Sequence, residues 1–191
     1  MKVFLRVNND MNEPFSLPLL GFSAFSGTGK TTLLEQLIPL LVKQGLRVAL
    51  VKHSHHDIEM DKPGKDSFKL RKAGACQVVL AGTHRSIVFH EYEQVHDSQL
   101  AEQLALLNTE LLDLVLVEGY RDQAFPKIEL HRCELNKPFL YPNDDNIIGL
   151  VCDQAIDTGD LPFFYFTQLD MLVEFILLQV ASFNRLHLLR E

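Results

Sequence analysis

The sequence predicts an α/β fold, a three-layer sandwich built on a mostly parallel sheet, and three observations predict it. First, the apolar run Leu17-Pro18-Leu19-Leu20-Gly21-Phe22-Ser23 is followed by a glycine-rich turn and then a helical pattern. Second, Leu46-Arg47-Val48-Ala49-Leu50-Val51-Lys52 is rich in branched residues and reads as a second strand, so the chain opens with a β-α-β unit and hence parallel pairing. Third, Leu112 to Val117 is an apolar strand ending in a carboxylate, Glu118, followed by Gly119-Tyr120.

The turn after the first strand is Ala24-Phe25-Ser26-Gly27-Thr28-Gly29-Lys30-Thr31. Gly27 and Gly29 let the backbone turn tightly and approach a ligand without a Cβ in the way. Backbone N–H groups then converge at a helix N-terminus, where the macrodipole also favours an anion. Ser26, Gly27, Thr28, Gly29, Lys30, Thr31 and Thr32 are therefore the expected phosphate contacts. Lys30 would reach the β- and γ-phosphates of a nucleoside triphosphate, and the Thr31 hydroxyl would ligate Mg²⁺. The pattern asks for Gly at its first position and finds Ala24, which is small enough if its φ is negative. Leu33, Leu34, Leu37, Ile38 and Leu41 carry the helix to Gln44-Gly45, where Gly45 can cap it.

Two further clusters fall where ligands gather in open α/β sheets, beyond the carboxyl ends of strands. Lys52-His53-Ser54-His55-His56-Asp57 follows the second strand, and a Mg²⁺-linked role for Asp57 fits better than a transition-metal site. Glu118 stands where a strand-end carboxylate holds Mg²⁺ through water, although Asp is more usual there. Lys30, Asp57 and Glu118 are the candidate catalytic residues, and Thr31, Glu118 and Asp57 the candidate metal ligands.

The remaining elements read in order. Asp66 or Ser67 could cap a short helix ended by Gly74, and strands follow at 77–81 and 86–90. An amphipathic helix runs from Ser98 to Leu107. Lys127 to Arg132 alternates and looks like a strand exposed on one face, and Ile147 to Val151 is a buried strand. A last helix, capped by Thr167, carries the stripe Leu172, Ile176, Val180 and Phe183. Residues 1–16 read as a polar leader with one possible strand at Lys2–Val7, and 17–191 as one nucleotide-binding domain.

A net charge of −7 argues against a general nucleic-acid binder. The charge is uneven, with 11 Lys/Arg against 7 Asp/Glu up to residue 75 and 7 against 18 beyond it, so the half with the glycine loop suits anions. The longest apolar run, near Phe175–Leu178, is too short to span a bilayer. Three cysteines without paired spacing, Cys76, Cys133 and Cys152, fit a reducing cytoplasm and argue against a disulfide framework or a zinc knuckle.

The blocks S-G-T-G-K-T-T-L-L (26–34), K-H-S-H-H-D (52–57), D-K-P-G-K-D-S (61–67), L-R-K-A-G-A (70–75) and L-V-E-G-Y (116–120) closely resemble the molybdopterin-guanine dinucleotide biosynthesis protein B (MobB) family over about residues 18 to 180. Ala at the first loop position is usual in that family. The resemblance implies a GTP-binding adapter with weak GTPase activity at most, acting in molybdenum cofactor biosynthesis. Its implied partners are the guanylyltransferase that attaches GMP to molybdopterin, acceptor molybdoenzymes, and molybdopterin or its guanine dinucleotide. It also implies a phosphate-loop NTPase-like sandwich with an antiparallel strand extension beyond the main sheet, and a homodimer, for which that extension and the exposed strands between Ser86 and Arg132 would serve. Carried over by position, Asp57 would sit near the γ-phosphate. No N-K-x-D sequence marks the guanine site, and Asp153, at a strand end, is a candidate acceptor for the guanine N1–H and N2–H. Two other classes compete: a small-molecule kinase, disfavoured by the lack of a dense arginine lid, and a metal-delivery GTPase suggested by His53, His55 and His56.

Overall fold

The computed structural model describes residues 15–54 and 58–189; the strand expected at Lys2–Val7 and the residues His55, His56 and Asp57 lie outside them. In chain order the elements are β1 (Leu19–Ser23), α1 (Lys30–Lys43), β2 (Val48–Lys52), α2 (Asp66–Lys72), β3 (Gln77–Ala81), β4 (Ser86–His90), α3 (Leu100–Leu104), β5 (Leu114–Glu118), β6 (Lys127–His131), β7 (Ile147–Cys152), β8 (Phe163–Tyr165) and α4 (Leu169–Leu188). They form two compact units: the chain up to His53 together with the chain from Leu100 onward, and Ser54–Gln99 between them.

The larger unit holds a six-stranded sheet in the order β2-β5-β1-β6-β7-β8, every neighbouring pair parallel. β1, β5 and β7 are buried along their whole length, covered on both faces, which is why they are so apolar. Alternation sorts their side chains. Leu20, Phe22, Leu114, Leu116, Ile128 and Leu130 face one way and pack with Leu33, Leu34, Leu37 and Leu41 of α1 and Leu172, Val173, Ile176 and Val180 of α4. Leu19, Val51, Val115 and Val117 face the other way, against Leu100 and Leu104 of α3 and the ring of Phe125. Each such fully buried leucine or valine contributes about 1.5–3 kcal/mol, so these two layers hold the three-layer sandwich that the periodicity predicts. α4 has the length and composition of a helix able to cross a membrane, but four of its apolar residues are taken up by this core.

Gly21 is a consequence of the topology. β5 and β6 lie on either side of β1 and are joined by only residues 119–126. The end of this link enters the β1/β6 ladder, where the Gly21 N–H donates to the Pro126 carbonyl at 2.8 Å, and Phe125 lies over β1. A Cβ on Gly21 would stand 2.6 Å from Phe125 Cε2 and 2.7 Å from Lys127 Cγ. Only a residue without a side chain leaves room for that crossing.

The strand at Lys127 corrects the sequence reading. It is not exposed on one face but buried along its whole length, between β1 and β7. The alternation is real, since Ile128 and Leu130 face the α1/α4 core, yet the polar face is covered by loops instead of water. The Lys127 ammonium donates to the carbonyls of Arg121 (2.7 Å) and Gln123 (2.8 Å) and meets the Asp144 carboxylate at 2.7 Å. Glu129 accepts the N–H groups of Leu140 and Tyr141, and His131 stacks on Phe139 at 3.8 Å. Burial raises the Glu129 carboxyl above its usual range, against the pull of those two N–H groups. Lys127 and Glu129 thus have hydrogen-bond partners, the condition for burying such groups at all. β6 is therefore not among the exposed strands that a dimer could use.

Smaller corrections concern helix ends. α4 is preceded by Gln168, not Thr167, and the Gln168 side chain accepts the Tyr165 N–H at 2.8 Å instead of capping the helix. α2 begins at Asp66, with Lys65 as its uncapped flanking residue. The helix expected over 98–107 is regular only from Leu100 to Leu104.

The smaller unit pairs α2 with the antiparallel hairpin β3–β4. Its organiser is Arg71, buried, whose guanidinium meets Glu59 at 2.6 Å, Glu91, and Asp61 at 3.7 Å while lying 4.4 Å over the Phe89 ring. On the hairpin's other face the register partners Val79 and Val88 are 64% and 63% exposed. These are the antiparallel strands expected beyond the main sheet.

The edge of the sheet is latched by Arg47, just before β2. It grips Asp113, just before β5, through Nε to Oδ2 (2.9 Å) and Nη2 to Oδ1 (2.8 Å). Hydrogen bonding from Arg47 holds the Asp113 carboxyl down to about 2. A carboxyl depressed in the folded state stabilises above its unfolded value and loses that contribution as pH falls through the folded one. Asp113→Asn is therefore expected to be slightly less stable than wild type at neutral pH, by no more than an exposed ion pair supplies. The gap should close between about pH 4 and pH 2, as read by urea unfolding across that range.

Candidate functional site

The glycine loop leaves β1 at Ser23 and enters α1 at Lys30. Gly27 and Gly29 have φ of 83° and 95°, and Ala24 is not among the described residues with positive φ, so alanine costs nothing at the first position. Gly29 is the N-cap of α1 and no side chain caps the helix; the first helical bond runs from the Leu33 N–H to the Gly29 carbonyl at 2.9 Å. The N–H groups of the first turn, Lys30, Thr31 and Thr32, precede that bond, and no acidic residue stands in the turn. That is an anion site by construction.

The individual side chains differ in what they can do. Ser26, Thr31 and Thr32 are exposed, whereas Thr28 is buried and its hydroxyl donates to the Phe25 carbonyl at 2.8 Å. Thr28 therefore braces the loop from inside. Lys30 Nζ lies 3.7 Å from Glu118 Oε1, and Lys52 Nζ lies 3.2 Å from Glu118 Oε2. The pairing follows from register, because Glu118 at the end of β5 is opposite Phe22 of β1 and Lys52 of β2. The chain then turns sharply: Gly119 has φ 101°, and a Cβ there would fall 2.6 Å from His53 Cβ. The His53 N–H donates to the Glu118 carbonyl at 2.8 Å, and its ring lies 4.7 Å from that of Tyr120.

Three positions that sequence reasoning left without a role converge here. Lys52 is one. Arg132, just past β6, donates Nε to the Thr28 carbonyl at 2.9 Å with its guanidinium 4.3 Å over the Phe166 ring. Phe166, just past β8, is the third. Arg121 and Lys137 flank the Phe25 ring at 5.8 and 5.9 Å. A chain of net charge −7 thus keeps a basic rim around this loop. The available signal was position, since Lys52, Arg132 and Phe166 all stand at or just beyond carboxyl ends of strands.

Asp153 follows β7, two strands from β1, and accepts the Cys133 N–H at 3.0 Å. Burial pushes its carboxyl up, but that N–H, its own backbone N–H and the neighbouring thiols outweigh burial and hold it below the ordinary value. The segment Arg132-Cys133 therefore ties the loop, through Thr28, to Asp153. Asp57 lies outside the described residues, so Lys30, Glu118 and the loop are what the structure brings together.

A parallel sheet, a glycine loop feeding an uncapped helix, and a lysine and carboxylate at its mouth define a phosphate-loop protein of nucleotide-binding fold. The chain belongs to the MobB family: the family model described as molybdopterin guanine dinucleotide synthesis protein B matches residues 19–153. It is 43% identical over 142 residues to the molybdopterin-guanine dinucleotide biosynthesis adapter protein of Haemophilus influenzae, covering 74% of this chain and 78% of that one. It is 48% identical over 116 residues to the adapter protein of the same description from Escherichia coli, covering 61% and 66% of the two chains. The crystal structure of Bacillus subtilis MobB superposes with a TM-score of 0.68 at 23% identity, over 85% of this chain and 98% of that one, a likeness of fold.

Arg132→Ala removes a charged hydrogen bond from the loop and is expected to weaken nucleoside triphosphate binding by about tenfold. Titration with a fluorescent triphosphate reads the change, with circular dichroism as the check on folding.

Proposed function

We propose that the protein is a GTP-binding adapter in the synthesis of molybdopterin guanine dinucleotide, acting in the cytoplasm as a homodimer beside the guanylyltransferase and its acceptor molybdoenzymes. The observation that carries the nucleotide half is the Lys30–Glu118 pair at the mouth of an uncapped, glycine-led helix. The adapter half rests on family membership and on the descriptions of the two curated relatives.

The residues divide the work by their chemistry. First-turn N–H groups and Lys30 hold the phosphates, so Lys30 exchanges Glu118 for an anion when nucleotide enters. Asp153, kept ionised, accepts the guanine N1–H and N2–H, a pairing that adenine cannot offer because its N1 is itself an acceptor. The donor set also fits Mg²⁺. The Thr31 hydroxyl and the Glu118 carboxylate are hard oxygen donors, and Glu118 is nearly buried, with two ammonium groups holding it in place. Thr31 and Glu118, with Asp57, would hold the ion, which supplies charge neutralisation for the phosphates. Arg132 serves the shape of the loop, committed to the Thr28 carbonyl. That arrangement suits holding a nucleotide more than turning it over, in keeping with weak GTPase activity at most.

Lys30→Ala is expected to lower GTP affinity by about 100-fold or more, the scale of losing a preorganised charge. Glu118→Gln should weaken binding in Mg²⁺ more than in EDTA. The role itself is tested by capture of the purified guanylyltransferase on the immobilised protein, with GTP, with ATP and without nucleotide. Retention promoted by GTP supports the adapter reading. Rapid phosphorylation of a small molecule with ATP preferred, or no retention in any arm, overturns it.

A further inference from the structure

The sequence separates Cys133 and Cys152 by 19 positions and shows no metal-binding spacing. The fold brings them together, because Cys152 ends β7 and Cys133 lies just past the end of β6, its parallel neighbour. Their sulfurs are 3.8 Å apart, and Cys152 Sγ is 3.6 Å from Asp153 Oδ1. The three donor atoms all lie within 4.8 Å of one another. Cys152 is buried, while Cys133 and Asp153 are half-buried, so the group is fixed by the core on one side and open on the other.

These separations have a metrical meaning. Two thiolates bound to one tetrahedral Zn²⁺ at the usual Zn–S length stand about 3.8 Å apart, and a thiolate and a carboxylate oxygen about 3.5 Å apart. The Cys133–Cys152 and Cys152–Asp153 separations already match these values. We propose that Cys133, Cys152 and Asp153 form a three-ligand site for a thiophilic divalent cation of the Zn²⁺ type, with the fourth position open to water or another donor. Two sulfurs and one oxygen discriminate against Mg²⁺, so this site is chemically distinct from the oxygen site at Thr31 and Glu118, but it draws on the Asp153 carboxylate assigned above to guanine, so cation and guanine compete for that group. The Cys133 N–H on Asp153 Oδ1 orients the carboxylate, as outer partners do for metal ligands. Each thiol gives up its proton to solvent as it becomes a ligand.

The test uses the full chain carrying Cys76→Ser, which removes the exposed third thiol, kept reduced and free of nucleotide so that its outcome is independent of the GTP reading. Titration with Co²⁺ should saturate at one equivalent, with sulfur-to-cobalt charge transfer in the near ultraviolet and tetrahedral d–d bands in the visible. Zn²⁺ should abolish both, and Mg²⁺ should leave them unchanged. A further Cys133→Ser substitution should remove about half of the charge-transfer intensity, and, as loss of a direct ligand, should weaken Zn²⁺ by more than the roughly 100-fold that is the upper end for losing an outer partner. Asp153→Asn should keep the charge-transfer band and lower the affinity. Absence of a thiolate band in the Cys76→Ser protein, as for cobalt held by histidines, overturns the proposal without needing a further variant. So does a band of full intensity that survives Cys133→Ser, or an affinity that Asp153→Asn leaves unmoved.

Discussion

Six strands running the same way place six carboxyl ends along one edge of the sheet, and the chemistry of the larger unit is gathered there. The glycine loop follows β1, Lys52 ends β2, and Glu118 ends β5. Arg132 and Cys133 follow β6, Cys152 ends β7 with Asp153 behind it, and Phe166 follows β8. Parallel pairing is what converts positions far apart in sequence into neighbours in space. Register does the fine placement: Glu118 stands opposite both Phe22 and Lys52, so one carboxylate can answer two ammonium groups.

That arrangement needs a short passage from β5 to β6 across β1, and the passage sets further residues. Gly21 has no Cβ because Phe125 and Lys127 occupy its place. Lys127 is buried because its ammonium holds the passage by the carbonyls of Arg121 and Gln123, with Asp144 opposite for charge. Burial pushes the Asp144 carboxyl up, but Lys127 and Asn146 outweigh it and keep the group ionised. A buried lysine with one partner removed would be strongly unfavourable; with three acceptors it becomes a fixed strut beneath the loop that follows Glu118.

Much of the candidate site was legible because its residues act locally. Gly27 and Gly29 have the positive φ that a tight glycine turn needs, and Lys30 and Glu118, both picked out by position, stand 3.7 Å apart. Thr28 was legible as part of the loop but not as its inward brace, because a hydroxyl's direction depends on the turn it closes. Arg132 and Phe166 were legible only as positions just past strand ends, not as a pair. Each is unremarkable in its own stretch, and their stacking exists only because β6 and β8 both end at this edge.

The strand at Lys127 shows most clearly where sequence reading stops. Alternation of apolar and polar residues reports that a strand has two different faces, and Ile128 and Leu130 do face the core. It does not report whether the polar face meets water or loops that carry matching donors and acceptors. The same holds for Cys133 and Cys152, whose 3.8 Å approach is a product of strand order. The sequence by itself determined the β-α-β start, the anion-binding turn, the strand-end carboxylate and the family, because periodicity, backbone freedom and dipoles act over a few residues. Strand order, the covering of β6, the Arg132 brace and the paired thiols were decided by tertiary structure, because each depends on contacts between residues that no local pattern connects.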